Sequence, residues 1–349
     1  MAISKTSFGI TEKGEQASLY SLTNHSGTKL VVSDFGAVWV NLYVRDKTGK
    51  IRDVVLGYDK LEHYEHTEAF FGAIVGRSAN RIEHAAFTLN GKEYSLQDNE
   101  NGNNLHSGPN GYESRMWEVK QMDEAKNAVT FAIDSPDGDQ GFPGNLHMEV
   151  TYRLTDDNRV SIRYKGTCDQ DTVVNMTNHS YFNLEGHDQG SILNHVLWID
   201  ADSFTPVADS KSIPTGEIRK VAGTPMNFNT PKKIGADIQD TYEQLTFTGG
   251  YDHNYVLKHG GQGVRKIATL YAPSSGIEME VETDCVGVQF YAGNFISGPR
   301  GKHQVEYQPR CGACLETQYF PNAINTPEFP SPVLKAGDTY ESTTIYHFA

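Results

Sequence analysis

Two-residue alternation of apolar and polar side chains is the feature that most restricts how this chain can fold. Val38, Val40, Leu42 and Val44 share one parity; Trp39, Asn41, Tyr43 and Arg45 share the other, and a turn at Asp46-Lys47-Thr48-Gly49 follows. Successive side chains of a strand point to opposite faces, so this pattern predicts a strand with one buried face. Met148, Val150, Tyr152 and Leu154 repeat it, Asp156-Asp157-Asn158 turns the chain, and Val160, Ile162 and Tyr164 return it as a hairpin. Ile277, Met279 and Val281 alternate with Glu278, Glu280 and Glu282, and Val286, Val288 and Phe290 continue the theme. Helical periodicity is scarce. The best candidate is the short segment from Asp59 to Tyr64, where Asp59 is expected to cap the first turn by accepting a backbone N–H. The 33 glycines and 14 prolines supply the turns that many short strands need. The expectation is an all-β chain of large antiparallel sheets packed as a sandwich. No biased linker, repeat or low-complexity tract divides it. Two domains would be ordinary at 349 residues. The polar motifs described below span residues 80 to 316, so residues 1–349 are read as one domain with strands converging on one site.

Composition narrows the partners. Thirty basic against forty-four acidic residues give a formal charge of −14. Nucleic-acid binding needs a basic stripe that this chain lacks, and the same charge disfavours polyanions and anionic membrane surfaces. A neutral substrate is compatible. No apolar run approaches the roughly 20 residues that cross a bilayer. The stretch Met1-Ala2-Ile3-Ser4-Lys5-Thr6-Ser7-Phe8 lacks the apolar core of a secretory signal. A cytoplasmic location is expected, and four unevenly spaced cysteines, Cys168, Cys285, Cys311 and Cys314, do not form a disulfide scaffold.

Several common chemistries are missing. There is no phosphate loop and no Gly-x-Ser-x-Gly elbow. Gly260-Gly261-Gln262-Gly263 precedes a β-like stretch and reads as a turn. Cys311-Gly312-Ala313-Cys314 has the spacing of half a zinc site, but no second pair completes it. It reads as two partly buried thiols on a strand. His63-Tyr64-Glu65-His66 lacks the i, i+4 spacing of a zinc-protease helix and reads as surface. No metal or cofactor is expected.

Six stretches set titratable and amide side chains among aromatics and glycines: Gly76–Ile82, Asn103–Gly108, Asn175–Leu184, Gly250–Tyr255, Gly287–Asn294 and Leu315–Pro321. Singly, each has a plain structural reading. His179 beside Asn178 and Ser180 could be a hydrogen-bonded structural residue, Asp252 a turn cap, and Glu316 a solvated strand residue. Together they hold what a sugar site needs. Hydroxyls want paired donors and acceptors, and the C–H face of a pyranose packs on aromatic rings. One His and one Glu suffice as an acid–base pair at neutral pH.

These stretches, in this order and spacing, resemble the aldose 1-epimerase (galactose mutarotase) family over essentially the whole chain, including Gly141-Phe142-Pro143-Gly144-Asn145 and Tyr346. Asn178-His179-Ser180-Tyr181-Phe182-Asn183-Leu184 and Leu315-Glu316-Thr317-Gln318 are the most specific. The resemblance implies a large galactose mutarotase-like β-sandwich (a supersandwich) with the sugar in a cleft on one sheet. It also implies an isomerase of carbohydrate and galactose metabolism that interconverts the α and β anomers of free hexoses. By the same resemblance His179 is the general acid and Glu316 the general base. Asn80, Arg81, His106, Tyr181, Asp252 and Gln289 contact the sugar, and neither metal nor nucleotide is needed. Glu316 takes the anomeric proton, His179 protonates the ring oxygen, the C1–O5 bond opens, and rotation about C1–C2 lets the ring reclose on the other face. His106 is the competitor for the acid role. Nearby carboxylates are expected to raise the His179 pKa and keep it protonated. A monomer or weak homodimer is expected.

Three other readings stand beside this one. A hexose-6-phosphate 1-epimerase should add cationic groups for the phosphate. A non-catalytic sugar binder need not keep both His179 and Glu316. A glycoside hydrolase needs two flanking carboxylates, for which Asp252 and Glu316 could serve.

Overall fold

The computed structural model describes residues 2–67 and 69–349. Alternation becomes burial as expected. In Trp39–Arg45, Val40, Leu42 and Val44 are buried while Asn41 and Tyr43 are half-buried and Arg45 is exposed. Leu146–Leu154 pairs antiparallel with Arg159–Cys168, Tyr152 lying opposite Ile162, and Met148, Val150, Tyr152 and Leu154 are fully buried. Among the described residues the α-helices are two short ones, Leu61–Glu65 and Glu243–Thr248.

The frame is a nine-stranded antiparallel sheet. Its order is Glu118–Asp123, Ala128–Ser135, Leu146–Leu154, Arg159–Cys168, Thr339–Phe348, Glu278–Thr283, Arg265–Tyr271, Val196–Ile199 and Lys232–Lys233. A five-stranded sheet from the first part of the chain ends on Trp39–Arg45 and Ile51–Asp53. Tyr20 from that sheet meets Phe131 of the large one edge to face, ring centres 5.5 Å apart. A third sheet runs Arg219–Lys220, Ser203–Phe204, Asp252–Val256, Gly287–Tyr291, Cys314–Gln318. Its inner face, with Tyr251, Tyr255, Val288, Phe290 and Leu315, joins one apolar cluster that reaches from Tyr20 to Phe348. Each such side chain contributes about 1.5–3 kcal/mol by leaving water. Polar links hold the third sheet in register with the large one. The Tyr346 hydroxyl donates to the Leu315 carbonyl at 3.2 Å, and Thr317 Oγ1 lies 2.5 Å from Thr344 Oγ1.

Two buried cations lash loops to this frame. Arg77 donates to the carbonyls of Pro143 (2.8 Å) and Gly144 (3.1 Å) and to Ser135 Oγ (2.6 Å), so the Gly141–Asn145 segment fixes the chain just before Asn80 and Arg81. Lys302, fully buried, pairs with Asp53 at 2.8 Å and donates to the Val55 carbonyl at 2.7 Å.

Some expectations need correction. Asp59 does not cap the short helix: Lys60 holds the cap position without a side-chain bond, and Asp59 accepts the backbone N–H of His303 at 2.6 Å. A partner 244 residues away in sequence wins over the local one. Cys311 and Cys314 are buried rather than partly buried; Cys314 opens a strand and Cys311 lies in the bend before it. All four cysteines are free. Gly260 to Gly263 form the turn before the Arg265–Tyr271 strand, as read. No helix among the described residues is long and apolar enough to cross a membrane.

Candidate active site

Strand parity builds one wall of the site. Asn254, Gln289 and Glu316 lie across from one another on three neighbouring strands, and Asp252, Tyr291 and Cys314 form the next row. Alternation places Asp252, Asn254, Gln289, Tyr291, Cys314, Glu316 and Gln318 on the face opposite the apolar core. A sheet with one oily and one polar face thus gathers carboxylates, amides and a phenol from three short strands.

Loops build the other wall. Arg81–Ile82 pairs with Asn104–Leu105, which brings His106 beside Asn80. His106 N–H donates to the Asn80 carbonyl at 3.0 Å, and Asn80 N–H donates to His106 Nδ1 at 3.1 Å. Phe70, Asn80 and His106 all have positive φ, at 55°, 58° and 52°. Such conformations cost non-glycine residues energy, least for Asn, and persist where surrounding contacts impose them. His179 follows the Thr177–Asn178 strand, its N–H bonded to the Ala73 carbonyl at 2.9 Å.

His179, Glu316, Asn80, Arg81, His106, Tyr181, Asp252 and Gln289 all line one cleft of about 360 Å³. That volume falls in the usual range for small-molecule sites, about 300–1,000 Å³. His179 Nε2 lies 3.6 Å from Glu316 Oε2, and that oxygen has no hydrogen-bond partner among the described residues. Gln289 donates to Asp252 Oδ1 at 2.7 Å. Aromatic rings floor the cleft: Tyr181 lies 5.0 Å from the His179 ring and 5.9 Å from Tyr291.

The structure adds residues that sequence reading did not single out. Glu100 grips Arg81 with both oxygens, receiving Nε and Nη2 at 2.6 Å each. Phe70 stacks on His179 at 5.8 Å and reaches His106 at 4.8 Å. Tyr291 stood inside a polar stretch but had no sequence signal for its place opposite Tyr181. Phe295, 66% exposed, stands among the lining residues.

Burial sets the electrostatics. Desolvation raises the Glu316 pKa well above the ordinary value; the Asp252 carboxylate adds to this and Arg81 partly opposes it. Asp252 is raised too, by desolvation against the pull of Arg81 and Gln289. Desolvation lowers His179 to about 4. The expectation that nearby carboxylates keep it protonated is therefore overturned: loss of water around the buried ring outweighs any pull from neighbouring carboxylates. His106 is pushed well below its usual value by burial, His179 and Arg81. Because its Nδ1 accepts the Asn80 N–H, the neutral His106 ring carries hydrogen on Nε2, facing away from that bond.

Potential ligand atoms of His106, His179 and Glu316 lie within 4.8 Å of one another, so a metal must be considered. A ligating histidine normally donates its other ring N–H to an acceptor. At His106 that other nitrogen accepts an N–H instead, which leaves hydrogen on the atom a metal would need. The donor set does not fit a metal ion.

A large antiparallel sandwich with this cleft on one sheet defines a β-sandwich enzyme of the galactose mutarotase-like class. The homologue of that class from C. elegans superposes with a TM-score of 0.86 at 30% identity, covering 95% of this chain and 99% of that one. The family profile described as aldose 1-epimerase matches residues 18–347. The galactose mutarotase of Bos taurus is 42% identical over 319 residues, 91% of this chain and 90% of its own. The aldose 1-epimerase of Escherichia coli K12 is 38% identical over 337 residues, 96% of each chain. The chain belongs to the aldose 1-epimerase family.

Proposed function

We propose that His179 and Glu316 are the acid–base pair with which this chain carries out its reaction, the interconversion of the α and β anomers of a free hexose such as galactose or glucose. The observation that carries this reading is the approach of two buried titratable groups, Nε2 to Oε2 at 3.6 Å, in a cleft lined by carboxylates, amides, an arginine and aromatic rings.

Burial disfavours separated charge in both groups, so the pair holds one proton between them and stays neutral overall. For the ring form that proton sits on His179 and Glu316 is ionised. Glu316 takes the proton of the anomeric hydroxyl as His179 gives one to the ring oxygen, and the C1–O5 bond breaks. The open-chain aldehyde then faces a protonated Glu316 and a neutral His179, the form that burial favours. Rotation about C1–C2 and the reverse transfers close the ring on the other face. Neither direction needs an isolated ion, and each positioned acid or base contributes about 10²–10⁴ in rate. His106, neutral with hydrogen on Nε2, serves as a fixed hydrogen-bond donor to the sugar and not as the proton source. Asp252, steadied by Gln289, accepts from sugar hydroxyls. Asn80 and Arg81 contribute polar contacts, and Phe70, Tyr181 and Tyr291 pack on the C–H face.

A neutral sugar suits the cleft better than a sugar phosphate. Arg81 is the cation that could greet a phosphate, and Glu100 already neutralises it. Asp252 and Glu316 add further negative potential. Saturation-transfer NMR of galactose, glucose and glucose 6-phosphate tests this: exchange between anomers should accelerate with the free hexoses, and preferential acceleration of glucose 6-phosphate would sink the reading. We read the chain as a single domain, supported by the one apolar cluster from Tyr20 to Phe348. A cytoplasmic setting is supported by four free thiols.

A further inference from the structure

The outer edge of the His179 ring rests on a thiol. Cys314 Sγ lies 3.6 Å from His179 Nδ1, and the Cys314 side chain is fully buried. Cys314 and Glu316 are two residues apart on one strand and so share a face. Glu316 therefore meets Nε2 while Cys314 meets Nδ1 of the same ring.

We propose that Cys314 is a positioning residue: its sulfur accepts the Nδ1–H of His179 and so holds that ring in the tautomer opposite to His106, leaving Nε2 as the atom that gives and takes the proton. The inference rests on the reading of His179 as the acid.

The chemistry of the cycle requires this tautomer. When the imidazolium gives its Nε2 proton to the ring oxygen, the N–H bond breaks as the O–H bond forms. The electron pair stays on Nε2 and Nδ1 keeps its hydrogen. Nε2 is then free to recover the proton when the ring closes. A neutral His179 with hydrogen on Nε2 would block that step. The thiol itself stays neutral, because burial and the Glu316 and Asp252 carboxylates raise its pKa well above normal. A neutral sulfur is a weak acceptor. It orients the ring without holding it as imidazolium, as a carboxylate would. At His106 the Asn80 N–H has the reverse effect and fixes hydrogen on Nε2. The other groups around His179 are Glu316, His106, Tyr181, Tyr291 and Phe70, with Arg81 and Asp252 also lining the cleft.

Two measurements test the idea. In Cys314→Ala the acceptor is lost; kcat should fall roughly three- to fivefold, the effect of one weak hydrogen bond, with KM little changed and the acid limb of the pH profile moved slightly down. Cys314→Ser restores an acceptor and should recover most of kcat and the wild-type limb. Wild-type kcat and pH profile in a folded Cys314→Ala protein would overturn the proposal, and so would equal impairment of both variants. Independently of any variant's folding, 15N spectra of the wild-type protein, assigned with His179→Gln and His106→Gln, should show a pyrrole-type Nδ1 at His179 and a pyrrole-type Nε2 at His106. The same tautomer at both would overturn it. Full activity in His179→Gln would instead remove the reading on which the proposal rests.

Discussion

Replacing Glu100 with Gln isolates the clamp behind Arg81. Glu100 receives two charge-assisted bonds from the guanidinium at 2.6 Å, with the Arg81 side chain 12% exposed and Glu100 24%. Bonds to charged groups are worth about 1.5–3 kcal/mol each when buried. Glu100→Gln keeps the shape and one acceptor oxygen but removes the charge and the second acceptor. Partial exposure lowers the loss, so about 2 kcal/mol is the working figure. If it falls on substrate binding, KM rises roughly 30-fold. A second consequence has a definite sign. Arg81 already pulls the Glu316 and Asp252 pKa values down against desolvation. Freed from Glu100 it pulls harder, so Glu316 loses its proton at lower pH and the alkaline limb of the rate profile moves down. The assay is polarimetry of freshly dissolved α-galactose across pH, beside a thermal melt. A variant with unchanged KM, unchanged alkaline limb and unchanged Tm would refute the claim that Glu100 positions and neutralises Arg81.

Three further outcomes follow from the same geometry. The wild-type rate should be flat through neutral pH and fall near pH 4, where the pair takes up a second proton. It should fall again on the alkaline side, where the pair loses its one proton from Glu316; a single limb near the ordinary histidine value would contradict the shared proton. Asp252→Asn keeps the Gln289 contact but loses a charged acceptor, and should raise KM for several hexoses by a factor that corresponds to about 2–5 kcal/mol, as steady-state kinetics will show. Asp53→Ala leaves Lys302 buried without its carboxylate and should lower stability by about 3–5 kcal/mol in denaturant unfolding, with kcat of the folded fraction unchanged.

Strand positions and their inward faces were legible because their cause is local. Val40, Leu42 and Val44 are buried by a period of two that any packed antiparallel sheet enforces. The same period explains why Asp252, Gln289 and Glu316 face one cleft, yet it does not say which strands are neighbours. The pairing of Asn254 with Gln289 and of Gln289 with Glu316 brings together segments far apart in sequence. Glu100, Phe70 and Cys314 escaped for that reason. Their meaning lies in contacts with Arg81, with both histidines and with His179, and each contact is made by a loop or a strand from elsewhere. Asp59 shows the converse: a good local cap signal yielded to the His303 N–H. The direction of the His179 pKa failed on the same ground. Counting nearby carboxylates predicts a rise, but the packing of Phe70, Tyr181 and the sheet removes water from the whole group and reverses it.

The central claim is that His179 and Glu316 move the protons while His106 holds still. Anomer exchange rates for His179→Gln, Glu316→Gln and His106→Gln, with sugar binding followed by ligand-observed NMR, test it most directly. Glu316→Gln and His179→Gln should each lose roughly 10²–10⁴ in kcat while still binding galactose, and His106→Gln should keep more activity than His179→Gln. Greater loss of kcat in His106→Gln, with His179→Gln impaired only in binding, would contradict the assignment and exchange the roles of the two histidines.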